Sequence, residues 1–294
     1  MLKKTILLEN KASLTAKNLQ LVIKSEIRES TIPIEDIGFL VIDHPEIYLS
    51  IPAMNLLIEY NSAVIVCSNN HLPNGMFLNL NSHHIQQEIF KNQINASMPL
   101  KKQLWQQTVI EKITNQGILL EKITGEKNSF DFLCSKVLSG DTSNMEGVAA
   151  SQYWKSFFEV KLKRERLGDY PNNFLNYGYA ILRAATARAL SGSGLLNTLG
   201  IHHKSKYNAF ALADDIMEPF RPIVDEKVFE IMQNYDEQEL NTVLKSELLQ
   251  ILTQTVYFKE EKSPLMVALQ KTASSLQQCY TGDRKKIKYP KLWS

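Results

Sequence analysis

The residues best suited to chemistry stand together in one stretch, Gly200 to Pro222, which reads GIHHKSKYNAFALADDIMEPFRP. Two adjacent histidines, His202 and His203, precede Asp214, Asp215 and Glu218 within a mostly apolar helical pattern. A polar side chain on an apolar segment costs free energy unless it finds a partner. Imidazole with carboxylates suits a divalent cation such as Mn, Mg or Zn, so a metal site is expected here, completed by a ligand from elsewhere in the chain. By spacing, either Asp215 or Asp214 can share a helix face with Glu218. Two adjacent histidines point in different directions, so at most one faces a given site. Pro219 disfavours helical backbone at Glu218 and kinks a continuing helix, which makes the face pairing approximate.

Glu146 is a further acidic candidate. It follows the polar turn Asp141-Thr142-Ser143-Asn144, and Ser143 with Glu146 fits a capping box at a helix start. Its small neighbours Gly147, Ala149 and Ala150 leave room for something bulky to approach. Basic residues surround these positions. Lys161, Lys163, Arg164 and Arg166 form a run whose ordinary reading is a solvated face. Arg183 and Arg188 sit in an otherwise apolar helix and need partners, and Lys204, Lys206 and Arg221 flank the candidate ligands. No serine has a triad-like setting.

The elements that must position these groups divide in two. From Lys4 to about Cys67, the runs TILLEN, LQLVIK, IGFLVID and AVIVCS carry the strand signature, with one helix expected from Pro52 to Tyr60. The segment SNNHLPNGMFLNLN has turn and linker chemistry and is read as the domain boundary. Beyond it, apolar residues recur every three or four positions over Ile85–Ala96, Leu100–Thr114, Gly117–Ile123, Phe130–Leu138 and Asn144–Lys163. After Pro171 comes the apolar helix NNFLNYGYAILRAATARAL, then a short helix leading into the candidate stretch. Helices are also expected over Glu226–Tyr235, Glu237–Gln250 and Leu265–Tyr280. The fold class is therefore α+β, with a β-rich domain over 1–75 and a larger all-α domain over 76–294. The basic tail DRKKIKYPKLW is expected to end in disorder.

Bulk properties exclude little. With 294 residues, 44% hydrophobic and 22% charged, the composition is that of a soluble globular protein, and a net charge of +2 does not decide whether nucleic acid binds. Cys67, Cys134 and Cys279 form no paired motif and are read as free thiols of a reducing cytoplasm. The start MLKKTILLEN is too short for a signal peptide, and no run reaches a membrane span.

The ordered blocks MEGVAA, NYGYAILRA, LGIHH and NAFALADDIMEPFRP closely resemble the CRISPR-associated integrase, the catalytic subunit of spacer acquisition ("Cas one" family), and the compact last block resembles its type II branch. Position by position, the resemblance implies Glu146, His203 and Glu218 as catalytic metal ligands for Mg2+ or Mn2+, with Asp215 and His202 auxiliary. It implies a DNA integrase and endonuclease in which the 3′-hydroxyl of a short incoming DNA attacks a repeat boundary in the CRISPR array. Lys161, Lys163, Arg164, Arg166, Arg183, Lys204, Lys206 and Arg221 would then meet DNA phosphates. The implied partners are double-stranded DNA, a second copy of the chain in a homodimer, a small subunit bridging two dimers, and the type II effector nuclease. The N-terminal domain would serve dimerisation and partner contacts. Two alternatives are a metal phosphoesterase with another nucleic-acid substrate and a non-catalytic DNA-binding scaffold.

Overall fold

The structure is a computed structural model that describes residues 3–79, 81–157, 168–259 and 261–294. The chain divides into two compact units, Met1–His84 and Ile85–Ser294.

The first unit is built from two four-stranded sheets. Strands β1 (Lys4–Leu8), β5 (Ile37–Ile42), β7 (Ala63–Cys67) and β8 (Pro73–Phe77) form one, in that order. Its first three strands are parallel and β8 is antiparallel. The other sheet has the order β4 (Glu29–Pro33), β3 (Gln20–Lys24), β2 (Ala12–Lys17), β6 (Ile47–Leu49). Helix α1 (Ile51–Glu59) starts where Ser50 accepts a hydrogen bond from the Ala53 amide, with Pro52 in its first turn. Ala53 and Leu57 from this helix join Leu14, Leu21, Ile37, Leu40 and Val64 in one apolar core. Inward residues alternate along β2, whereas β5 is buried on nearly every residue, as a parallel central strand requires.

The second unit is helical: α2 (Gln86–Ile94), α3 (Met98–Thr124), α4 (Phe130–Lys136), α5 (Met145–Phe157), α6 (Asn172–Gly192), α7 (Ala211–Met217), α8 (Arg221–Asn234), α9 (Thr242–Leu249) and α10 (Leu265–Thr281). Helix α6 is its centre. Alanines and large apolar residues bury almost its whole length, and α7, α8, α9 and α10 pack around it. At Gly178 an added Cβ would lie 2.5 Å from Val224 Cγ1, so the close approach of α6 and α8 depends on glycine. Helix α3 covers a second side of the bundle, against α4, α5 and α8. Ser97 caps its start and left-handed Gly125 ends it. Among the described residues, no helix is long and apolar enough to cross a membrane.

Several elements differ from the sequence expectation. Residues 100–123 lie in one 27-residue helix, Met98–Thr124, rather than in two, and Gly117, packed against Phe130, does not break it. The segment expected as linker contributes β8, and the expected boundary at 75/76 falls inside that strand. Strands β2, β4 and β6 are too polar or too short for their periodicity to stand out, and no helix forms over the turns before Gly200. The helical unit also carries a small hairpin, β9 (Thr255–Phe258) with β10 (Glu261–Pro264).

The C-terminal tail is packed rather than disordered. Ile287 and Leu292 are buried, and Lys291 exchanges two 2.8 Å backbone hydrogen bonds with Tyr257. The Tyr289 hydroxyl meets Thr108 at 2.9 Å, and Trp293 Nε1 donates to Glu226 at 2.8 Å. These apolar anchors and satisfied polar groups outweigh the tail's four lysines, whose charges need only their ends in water.

Candidate metal and phosphodiester site

Four helical elements bring the candidate residues together. Glu146 lies in the first turn of α5, where a carboxylate is favoured by the helix dipole. The cap is not the expected box. Asp141, with φ near 50°, accepts hydrogen bonds from the Met145 and Glu146 amides at 2.9 and 3.0 Å. Ser143 instead donates to the Lys136 carbonyl. Capping by Asp141 leaves the Glu146 side chain free to reach α3.

Glu218 stands where α7 gives way to a short 3-10 turn, Glu218–Phe220, before α8 begins. Pro219 accompanies this change of helix type, but Glu218 itself keeps helical backbone, with φ −51° and ψ −46°, against the expectation that the proline would disfavour it. Asn115 of α3 donates to the Pro219 carbonyl at 2.8 Å and pins the turn in place. The three neighbouring acids take different partners, although all three act on His203. Asp214 takes hydrogen bonds from Arg183 at 2.6 Å and Asn208 at 2.8 Å. Asp215, fully buried, accepts from the His202 and His203 amides at 2.9 and 3.2 Å and meets His203 Nδ1 at 2.5 Å. Glu218 turns toward α3.

There it meets a residue that sequence reasoning missed. The Lys112 Nζ lies 2.6 Å from Glu146 Oε1 and 2.6 Å from Glu218 Oε2. A single buried ammonium thus joins the two carboxylates from α5 and the 3-10 turn. The opposite oxygen of Glu218 accepts from Arg221 Nε at 2.8 Å, and the Arg221 guanidinium lies 4.6 Å above the Tyr179 ring. Tyr179 and Tyr153 both donate hydroxyl hydrogen bonds to buried Asp225, which fixes the ring beneath Arg221. A signal for Lys112 exists in the sequence. Leu104, Trp105, Thr108, Val109, Lys112, Asn115 and Gln116 trace the buried face of α3 at helical spacing, so a lysine and an asparagine there require partners.

Burial drives the Glu218 carboxyl toward neutrality, but Arg221 and Lys112 outweigh it and hold the group at about 2. Burial likewise disfavours the Lys112 charge, and Glu218 and Glu146 more than restore it. The hydrogen bond to Asp215 raises His203 above its ordinary value against partial burial, with Glu218 and Asp214 adding to the rise.

His203 and His202 separate clearly. His203 is held by Asp215 through Nδ1, which turns Nε2 outward, and its side chain is 43% exposed. His202 stacks on Trp105 at 4.2 Å with nearly parallel rings. Gly200 is required for this loop, since an added Cβ would lie 2.6 Å from the His203 carbonyl and 2.7 Å from Asp215 Oδ2. Beside His203 opens a cleft of about 540 Å³ whose lining includes Lys101, Lys204, Lys206 and Tyr207.

The structure therefore brings Glu146 and Glu218 together, and places His203 where Glu218 raises its proton affinity. Among the described residues, no three acidic, imidazole or thiol side chains are gathered closely enough to hold a metal ion as they stand. The donor set nonetheless fits a divalent cation. Glu218 Oε2 is buried and lacks a hydrogen bond, although the Lys112 charge lies beside it. Arg221, expected to bind DNA, is engaged by Glu218 and Tyr179, and Arg183 is engaged by Asp214. Lys161, Lys163, Arg164 and Arg166 lie outside the described residues.

A strand-rich unit followed by a helical unit that sets paired carboxylates and an oriented imidazole beside a lysine-lined cleft defines a class of proteins suited to phosphodiester chemistry. Residues 5–255 match the family model described as CRISPR associated protein Cas1. A CRISPR-associated endonuclease Cas1 from Neisseria meningitidis serogroup C (strain 8013) is 35% identical over 293 residues, covering 98% of this chain and 96% of its own. The chain belongs to the Cas1 family. Its fold is shared with a casposase bound to integration product, with a TM-score of 0.81 at 20% identity, covering 97% of this chain and 92% of that one. A Cas6-RT-Cas1–Cas2 complex shares it too, with a TM-score of 0.75 at 19% identity, covering 99% of this chain and 36% of that one.

Proposed function

We propose that this protein is a metal-dependent DNA integrase and endonuclease of CRISPR adaptation, joining the 3′-hydroxyl ends of short captured DNA to the CRISPR array. The observation that carries this reading is the meeting of Glu146 and Glu218 at one buried positive charge, in a Cas1 chain with His203 close by. Glu146, His203 and Glu218 are the residues that would hold the cation, Mg2+ or Mn2+. When bound, the cation supplies charge stabilisation for the attacking and leaving oxygens.

The remaining work falls to the chain itself. Asp215 keeps the proton on His203 Nδ1, so Nε2 presents its lone pair to the site. His202 supports that loop through its ring stack on Trp105. Arg221 fixes the direction of the Glu218 carboxylate. Lys101, Lys204 and Lys206 line the cleft where phosphates of the duplex would lie. In the joining step, the oxygen of the incoming 3′-hydroxyl bonds to phosphorus as it gives up its proton. The phosphodiester's departing 3′-oxygen takes a proton and leaves, so one bond is made and one broken.

The relative's 35% identity over nearly the whole chain supports the type II branch as well. The native assembly is a homodimer, two of which flank a small partner subunit, with the N-terminal unit serving dimerisation and partner contacts. The complex named above, in which Cas1 accompanies Cas2, supports the presence of a partner subunit. The type II effector nuclease takes part in choosing the DNA captured. The protein acts in the cytoplasm on double-stranded DNA.

The test is strand joining. A short labelled duplex should be joined to a supercoiled repeat-containing plasmid only with Mn2+ or Mg2+ present. Joining that persists unchanged in excess chelator would overturn the metal mechanism, and cleavage without any joined product would favour a phosphoesterase.

A further inference from the structure

We propose that the Lys112 ammonium holds the place of the cation in the metal-free protein, so that metal loading is an exchange in which Lys112 withdraws as the divalent ion enters. The inference rests on the reading of Glu146 and Glu218 as metal ligands and concerns what stands between them beforehand.

The geometry is that of a bridging cation. One nitrogen is 2.6 Å from an oxygen of each carboxylate, and the two acids come from different elements, α5 and the turn before α8. Both carboxylates can remain ionised so close together only with positive charge between them. Lys112 and Arg221 balance Glu146 and Glu218 in number, which leaves the metal-free cluster neutral and stable without an ion. A divalent ion entering beside a retained ammonium would place two like charges within a few ångströms in a largely buried place, and one of them must leave.

Lys112 is suited to leave and Arg221 is not. Lysine carries a compact charge on a flexible four-carbon stem, whereas the Arg221 guanidinium is fixed by Glu218 Oε1 and by the Tyr179 ring beneath it. The hold of Lys112 on Glu218 is also incomplete. Oε2 lies within ion-pair distance of Nζ but receives no hydrogen bond in the direction one requires. The exchange therefore surrenders one well-formed hydrogen bond, to Glu146, and one off-axis contact.

The experiment is Mn2+ binding to the full chain without DNA, followed by the electron paramagnetic resonance of free Mn2+, for the wild type, Lys112→Met and Glu218→Gln. Removing the competing ammonium should tighten Mn2+ binding at least tenfold in Lys112→Met, while lowering the melting temperature of the metal-free protein. Should Lys112→Met not fold, acetylation of lysines in the wild type, read by mass spectrometry, gives the second measurement. Lys112 should be protected without Mn2+ and become reactive when Mn2+ is bound. Equal or weaker binding by a folded Lys112→Met, or unchanged protection of Lys112, would overturn the exchange and leave the metal site standing. Absence of Mn2+ binding in the wild type, or binding that Glu218→Gln does not weaken, would overturn the ligand assignment and the exchange with it.

Discussion

Two Lys–Glu bridges connect α3 to the segment formed by the 3-10 turn and α8. Lys112 meets Glu218, and ten residues further along α3, some 15 Å up the helix, Lys122 meets Glu226. Both glutamates are nearly inaccessible, so each needs a cation to stay charged. Their surroundings differ. Glu226 also accepts hydrogen bonds from Gln254 and Trp293, and its lysine is half exposed. No second acid shares Lys122 in any described ion pair. Glu218 keeps an oxygen without a hydrogen bond, and its buried lysine is shared with Glu146. The Lys122–Glu226 bridge is a clamp that ties the C-terminal tail to the bundle. The Lys112 bridge gathers two carboxylates at one point, which is what a cation site requires. Pairing alone does not separate structure from function; the state of the second oxygen does.

The largest effect that would separate them is on joining. Glu218→Gln should lower strand joining at least about 10³-fold, because under the proposed function it removes a ligand from metal chemistry that supplies several kcal/mol. Glu226→Gln should leave joining by the folded protein within about threefold while costing about 2 kcal/mol in urea denaturation, the cost of weakening charge-assisted hydrogen bonds whose lysine stays half in water. Equal losses of joining in both variants would erase the distinction.

Smaller effects sharpen it. At Mn2+ about 100 times its dissociation constant, the wild type and Glu226→Gln should each gain about 2.7 kcal/mol of stability, and Glu218→Gln far less, read as a melting-temperature shift.

Acid titration of the metal-free protein gives a comparable magnitude. The Glu218 carboxyl is held at about 2, below its ordinary 4.5, so its contribution of about 3 kcal/mol is complete above 4.5 and lost as pH falls toward 2. Glu218→Gln should flatten stability against pH in that window. His203 has the opposite sign. Its value is raised above 6.5, so the stability of its pair with Asp215 is complete below 6.5 and lost as pH rises through the folded value. His203→Gln should remove that alkaline slope in the same denaturation series. The smallest effect concerns the carrier of Glu146. Asp141→Ala should cost about 1 kcal/mol as a lost cap, and Ser143→Ala within about 0.5 kcal/mol.

Much of the fold was legible because burial writes a periodic pattern. Strands β1, β3, β5 and β7, helix α1 and the long helices α6 and α10 all stand near their expected places, while α3 joins two expected helices into one. The missed strands β2, β4 and β6 draw their stability from neighbours rather than from an apolar run of their own. The candidate acids and the histidine pair were equally legible as polar residues in apolar company. Lys112 was not, because its meaning depends on two carboxylates 34 and 106 residues away, and no local pattern encodes such a meeting. The hold of Arg221 on Glu218 was not legible for the same reason, since a basic residue beside a candidate ligand reads alike whether it meets phosphate or holds the acid.

By itself, the sequence determined the two-part α+β organisation, the change of helix type at Pro219 and the short set of residues that could bind a cation. These follow from local preferences: apolar periodicity, the missing amide of proline, and the cost of burying unpaired polar groups. Tertiary structure alone decided which of the paired residues does what. It turned His203 toward the site and His202 onto Trp105, gave Asp214, Asp215 and Glu218 different partners, and set Lys112 between Glu146 and Glu218. Electrostatic roles depend on distance and burial in three dimensions, and those exist only once α3, α5 and the turn before α8 have packed together.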